Sequence, residues 1–224
     1  MLERLRKLDR RVLRVMRTRG HSSRAEAAMG ALGTAGEHGA VWMTIALARA
    51  AADRRRRGQW LRAAPVAPAA VGVNYVVKIA VRRRRPRLRG LPPLAGAPSR
   101  LSFPSAHATS SIAAATAMAR VSTRASLPLY GLAGAICATR PYLGLHYPSD
   151  VLAGAALGLV IGRLWPGLGG MGAEERLIDL VSSAARSAST TPFDGRGTDG
   201  RRRPAAVEPS PGGDPLARGE PSRP

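Results

Sequence analysis

Residues 139–150 read TRPYLGLHYPSD, and they separate two apolar runs built mostly of Ala, Leu and Gly. The stretch sets Arg140, His146 and Asp150 between segments greasy enough for a bilayer. Ionisable groups inside lipid are expensive, so their presence marks a helix end with a chemical task. Pro148 disfavours helical backbone at Tyr147, which predicts His146 in a turn and Asp150 in the first turn of the next helix. Asp150 can then accept a hydrogen bond from one imidazole nitrogen and leave the other free as a nucleophile.

The rest of the chain sets the context for that stretch. Its 224 residues carry a formal charge of +21, but the basic residues are unevenly spread. Residues 1–24 hold nine Lys or Arg against two acids, 49–62 hold six Arg against one, and 82–100 hold seven Arg against none. Apolar segments lie between these clusters, which is the layout of a membrane protein with cationic connections. A nucleic-acid-binding domain would need its own soluble core, and none is legible, so nucleic acid is not expected as a partner. Cys137 is the sole cysteine, which excludes an intramolecular disulfide and reads as a small buried hydrophobe.

Residues 2–19 place Leu2, Leu5, Leu8, Val12, Val15 and Met16 at three- and four-residue intervals among Arg and Lys. That pattern predicts a basic amphipathic helix lying on a membrane, assigned to residues 1–24. A membrane-embedded domain is expected over 25–168. Its five spans run from about Ala27 to Ala48, Leu61 to Val81, Ser105 to Ala119, Leu127 to Ala138 and Val151 to Leu164, with Arg120, Arg124 and Arg163 snorkelling at helix ends. Residues 169–224 form a C-terminal segment whose Ser, Thr, Gly, Pro and Arg content predicts disorder from about 186. The fold class is therefore all-α: a polytopic membrane helical bundle.

Three polar clusters fall at predicted helix ends. KIAVRRRRP gives Lys78, Arg85 and Pro86; FPSAH gives Pro104, Ser105 and His107; the opening stretch gives Arg140, His146 and Asp150. Alternating spans bring all three to one membrane face. Arg forks match phosphate oxygens and Lys adds a point charge, so the set describes a site for a tetrahedral anion. Pro104 is expected in the first turn of a helix, leaving the amides of Ser105, Ala106 and His107 for phosphate. With His146 committed to attack, His107 is the natural proton donor to the leaving alkoxide.

In order and in internal spacing these clusters resemble the signature of the type 2 phosphatidic acid phosphatase superfamily: Lys-x6-Arg-Pro, Pro-Ser-Gly-His and Ser-Arg-x5-His-x3-Asp. Ala106 stands where the family has Gly, and Thr139 where it has Ser. The resemblance covers about residues 27–165 and implies a metal-free, cofactor-free phosphatase working through a phosphohistidine. It implies His146 as nucleophile, Asp150 as its orienter, and His107 as acid and then base. Lys78, Arg85, Ser105, Ala106 and Arg140 would hold the phosphoryl group.

GEHGAVW around Glu37 is similar to actinobacterial polyprenyl-phosphate enzymes, the decaprenylphosphoryl-phosphoribose phosphatases of cell-wall arabinan synthesis in particular. The expected partner is thus a lipid phosphate in a bacterial plasma membrane, met at the outer face. Phosphatidic acid, phosphatidylglycerophosphate and undecaprenyl diphosphate are the alternative substrates, and a non-catalytic basic membrane anchor is the alternative class. Glu37 and His38, polar in mid-span, are expected to face the bundle or each other, and they are the candidates for a substrate-facing role. Arg82, Arg83, Arg84, Arg87 and Arg89 read as a solvated or headgroup-binding cluster.

Overall fold

The computed structural model describes residues 2–168. Eight helices account for most of them, and among the described residues β-pairing is limited to two isolated bridges, Arg84 with Leu101 and Leu88 with Leu91. In chain order the helices are α1 (Leu2–Thr18), α2 (Ser23–Ala35), α3 (Ala40–Ala52), α4 (Arg57–Ala63), α5 (Val66–Val81), α6 (Ala106–Val121), α7 (Ser126–Tyr142) and α8 (Pro148–Leu164). Of these residues the run Arg54–Val81 is long and apolar enough to cross a membrane, and Ala40–Ala52 is a shorter apolar helix. The segment 169–224, including the expected disordered tail, lies outside the described residues.

Helix α6 is the axis of the bundle, packed on α5, α7 and α8. Its Ala108, Ala113, Ala114, Ala115, Ala117 and Met118 are fully buried, so small side chains do most of the filling. The closest packing is with α8, where Gly154, Gly158 and Gly162 recur every fourth residue on one face. A methyl group at those positions would lie 2.5 Å from the Ser105 carbonyl oxygen, 2.4 Å from that of Thr109 and 2.5 Å from that of Ala113. Backbone therefore meets backbone along this seam, and the N-termini of α6 and α8 are drawn together, with the Ser105 amide donating to the Asp150 carbonyl at 3.0 Å.

Two expectations about the spans are corrected. The predicted first span, Ala27 to Ala48, is not one helix: a 3₁₀ turn at Glu37–Gly39 divides α2 from α3. Gly39 takes φ 77°, a conformation open to glycine, and the neighbouring polar Glu37 and His38 would be costly in a continuous lipid-facing helix. Arg120 does not snorkel either. It donates to the carbonyls of Gly162 and Trp165 at 3.0 and 2.9 Å and to that of Leu168, satisfying the C-terminal end of α8.

Helix α1 presents two stripes. Leu5, Leu8, Val12 and Val15 remain exposed, whereas Asp9, Leu13 and Arg17 are buried against the bundle. The α6–α8 seam yields a stability prediction: Gly158→Val lowers stability in detergent by about 1–3 kcal/mol, because the added carbons have no space. Gly131→Val, at a position with nothing within 4 Å, serves as the control and changes stability far less by thermal unfolding.

Candidate active site

The stretch TRPYLGLHYPSD folds back on itself through the end of α7. Gly144 takes φ 75°; its amide bonds to the Pro141 carbonyl at 3.0 Å, and the Leu145 amide bonds to the Arg140 carbonyl at 3.0 Å. This is the paired bonding of a Schellman cap, and it turns the chain so that His146 returns beside Arg140. Tyr147 is extended at φ −71° and ψ 151°, and α8 begins at Pro148, so Asp150 sits in the first turn as expected.

Lys78, Arg85, Ala106, His107, Arg140 and His146 all line one cavity of about 310 Å³. They come from α5, the 82–105 loop, the start of α6, the end of α7 and the turn before α8, so the three sequence clusters converge on a single space. Glu37 lines the same cavity from the turn between α2 and α3. The side chain of His38 lies outside what is described. Arg85 bridges the cavity wall: Nε donates to the Ser99 carbonyl at 2.7 Å, while Nη1 donates to the Leu145 carbonyl at 2.8 Å and lies 3.1 Å from His146 Nε2.

That last contact assigns the tautomer. A guanidinium only donates, so His146 Nε2 must carry its lone pair toward Arg85 Nη1, with the ring proton on Nδ1. Burial drives the pKa of His146 down to about 4; the nearby Asp150 opposes this, while the charges of Arg85 and Lys78 add to it. The imidazole is therefore neutral at physiological pH. Arg85, also lowered by burial and supported by Asp150, stays charged because a guanidinium starts so high.

The carboxylate of Asp150 is fully buried and crowded with donors. Oδ2 accepts from the Tyr147 amide at 2.8 Å and from the Ser102 hydroxyl; Oδ1 accepts from Arg83 Nη1 at 2.9 Å. Because Oδ2 is taken, the expected direct bond to His146 is not closed: Nδ1 stands 3.8 Å away, beyond hydrogen-bond range. Ser102 Oγ stands beside both, hydrogen-bonded to Oδ2 and 3.5 Å from Nδ1. Across the cavity His107 Nε2 is 3.2 Å from the Gly33 carbonyl, which can only accept, and Arg140 Nη1 lies against the ring edge, 3.2 Å from Nε2 and 3.4 Å from Nδ1. Arg140 Nε is held on Thr139 Oγ1 at 3.0 Å, so the hydroxyl at position 139 has a positioning contact.

Two readings of FPSAH are corrected. Pro104 precedes the helix instead of opening it, since Ser105 is the N-cap of α6. The Ser105 amide is not available to an anion, because the Asp150 carbonyl holds it; the Ser105 side chain is fully buried and its Oγ has no partner. Ala106 and His107 remain as the cavity-facing part of that turn.

Sequence reasoning missed four residues that shape this site. Asn74 lines the cavity one turn before Lys78, and its Nδ2 binds Thr109 Oγ1 at 2.9 Å and the Pro104 carbonyl at 3.3 Å. An Asn within an apolar span was the available signal. Ser102 carried none beyond its nearness to FPSAH. Arg83 was read as part of a solvated or headgroup-binding cluster but instead bonds Asp150, and Asp9 entered only as one of the two acids counted in residues 1–24.

Comparison with known proteins places the chain in one family and fold. The PAP2 superfamily profile matches residues 59–169. Decaprenylphosphoryl-5-phosphoribose phosphatase of Mycobacterium tuberculosis is 44% identical over 135 residues, covering 60% of this chain and 75% of that protein. The enzyme of the same name from Mycolicibacterium smegmatis is 43% identical over 124 residues, 55% of this chain and 68% of that one. Among solved structures, the fold is similar to a transmembrane PAP2-type phosphatidylglycerolphosphate phosphatase of Bacillus subtilis. The TM-score is 0.58 at 20% identity, over 84% of this chain and 89% of that one. Aquifex aeolicus LpxE gives a TM-score of 0.55 at 20% identity, over 70% and 93% of the two chains.

The site geometry predicts an unusual titration. In spectra of the detergent-solubilised protein labelled at histidine nitrogen, His146 keeps its neutral signature until the pH falls to about 4. A lowered pKa means the charged form appears only at lower pH, so titration near the ordinary histidine value would contradict the burial argument.

Proposed function

The chain belongs to the PAP2 superfamily of phosphatases, and from that premise we propose that it removes the terminal phosphate of a polyprenyl-linked sugar phosphate, decaprenylphosphoryl-5-phosphoribose, in cell-wall arabinan synthesis. One observation carries the catalytic part of this reading: His146, its unprotonated Nε2 facing Arg85, lines a cavity that also holds Lys78, Arg85, His107 and Arg140. The substrate part is supported by the names of the two mycobacterial relatives and by their identity to this chain.

In the proposed reaction Nε2 of His146 attacks phosphorus as the ester P–O bond breaks. Lys78, Arg85 and Arg140 neutralise the three non-bridging oxygens, and the free amides at Ala106 and His107 add donors. Ser105 contributes through its buried hydroxyl, while its amide holds the Asp150 carbonyl and is not offered to the phosphoryl group. As Arg140 turns from His107 onto the phosphoryl group, His107 Nδ1 takes up a proton from the monoprotonated phosphate of the substrate and passes it to the departing alkoxide. Water then attacks the phosphohistidine, His107 removes its proton, and inorganic phosphate leaves. Ser102 and Asp150 hold the Nδ1 proton of His146 throughout. Cationic side chains do the charge neutralisation here, so the proposed reaction has no step that calls for a metal or a cofactor.

We read the chain as a plasma-membrane protein whose site opens where lipid meets water on the outer face. Five spans fit the helices as α2 with α3, α4 with α5, then α6, α7 and α8. Exposed Val76, Leu127, Leu152 and Leu164 support lipid contact along their outer faces. Glu37, on the cavity wall, stands as a candidate for the substrate's sugar hydroxyls, since a carboxylate accepts from hydroxyls and repels phosphate.

Phosphate release by the purified protein tests this reading across a panel of four lipids. Decaprenylphosphoryl-5-phosphoribose is expected to give the highest kcat/KM over phosphatidic acid, phosphatidylglycerophosphate and undecaprenyl diphosphate. His146→Ala is expected to lower the rate by about 10³-fold or more, and EDTA to leave it unchanged. Release that survives the His146 substitution would refute the nucleophile assignment, and a preference for another lipid would refute the substrate.

A further inference from the structure

The buried stripe of α1 ends on the active-site loops. Asp9 is 7% exposed and accepts from the Ser149 amide at 3.0 Å through Oδ1, and through Oδ2 from the Ser149 hydroxyl and from Arg83 Nη2, the latter at 2.8 Å. Ser149 lies in the first turn of α8, so Asp9 supplies from another helix the carboxylate that an exposed helix start needs. Arg83 passes the contact on. Its Nη1 donates to Ser149 Oγ at 2.7 Å and to Asp150 Oδ1 at 2.9 Å, and its guanidinium lies 4.3 Å from the Tyr147 ring centre. Eight residues along α1, two turns further on, Arg17 ties down the neighbouring loops. It donates to the Tyr142 carbonyl at 3.2 Å and the Pro92 carbonyl at 2.6 Å.

From this geometry we propose that Asp9 and Arg83 are positioning residues of the phosphatase, forming a relay from α1 that holds Asp150, and through Ser102 the His146 ring, in attacking orientation. The proposal rests on the assignment of His146 as nucleophile. Charge and valence favour a relay over independent contacts. Arg83 carries a single positive charge between two buried carboxylates, so neither acid is isolated, and each fixes the fork for the other. Asp150 Oδ1 has Arg83 as its donor, leaving Oδ2 to Ser102 and Tyr147. Losing the fork would free the carboxylate to rotate, and the Ser102 hydroxyl and His146 Nδ1 with it. The same α1 turns Leu5, Leu8, Val12 and Val15 outward, so the helix that steadies the catalytic loops also presents an apolar face to the surroundings.

The test is steady-state kinetics on the full chain in detergent with the preferred lipid phosphate from the panel above. Asp9→Asn keeps size and one acceptor but removes the charge. It is expected to lower kcat by about 10- to 100-fold with KM within about twofold, the pattern of a misplaced reacting group and not of weakened binding. Arg83→Lys keeps the charge but cannot fork between the two carboxylates, and it is expected to reproduce that loss if the Asp9 variant does not fold. The double variant Asp9→Asn with Arg83→Lys is expected to be no slower than the worse single variant, because both break one relay. Wild-type kcat in a folded single variant, a loss confined to KM, or independent losses that multiply would each overturn the relay. His146→Ala separates the two readings. Activity retained there overturns the nucleophile and the relay together, whereas activity lost there with full kcat in the folded Asp9 or Arg83 variants overturns the relay alone.

Discussion

The glycine seam between α6 and α8 is the constraint on which the site depends. With Gly154, Gly158 and Gly162 meeting the backbone of α6, the two helix starts are brought into hydrogen-bond contact between Ser105 and Asp150. His107 sits one residue into α6, and His146 precedes α8 by two. The two imidazoles therefore reach one cavity because the helices behind them touch backbone to backbone. A bulkier seam would move the helix axes apart and separate the residues that precede and follow them.

Around that seam the cavity concentrates positive charge. Lys78, Arg85 and Arg140 are brought together on a wall where Glu37 is the carboxylate, since Asp150 is shared with Arg83 and Ser102. Gathering cations out of water costs free energy, and the offset here comes from fixed acceptors: the Ser99 and Leu145 carbonyls for Arg85, and Thr139 with His107 for Arg140. An anion that displaces the His contacts gains preorganised donors without further rearrangement. A neutral His146 suits this environment, because a protonated ring there would add repulsion to the three cations.

Much of this was legible in the sequence because the motif spacings encode helix ends, and helix ends are where ionisable residues collect in a membrane bundle. Pro148 gave the start of α8, and the Lys78, His107 and His146 clusters were gathered correctly into one cavity. What escaped were contacts set by tertiary approach. Nothing local to Asp9 or Arg83 indicates that α1 docks onto the start of α8, and the break at Glu37–Gly39 overrode a run of apolar residues that otherwise resembles a span. The direct Asp150–His146 bond inferred from spacing alone was interrupted by Ser102, forty-four positions away from His146. Short-range pattern reading has no access to such a bridge.

The central claim is that His146 Nε2 takes the phosphoryl group. Rapid alkaline quenching of the enzyme during turnover of substrate labelled with ³²P at the terminal phosphate, followed by peptide mapping, reads this directly. The account predicts acid-labile, alkali-stable label on the peptide containing His146. Label on His107, on a serine or on a carboxylate, or a complete absence of covalent label during the burst of a single turnover, would contradict it.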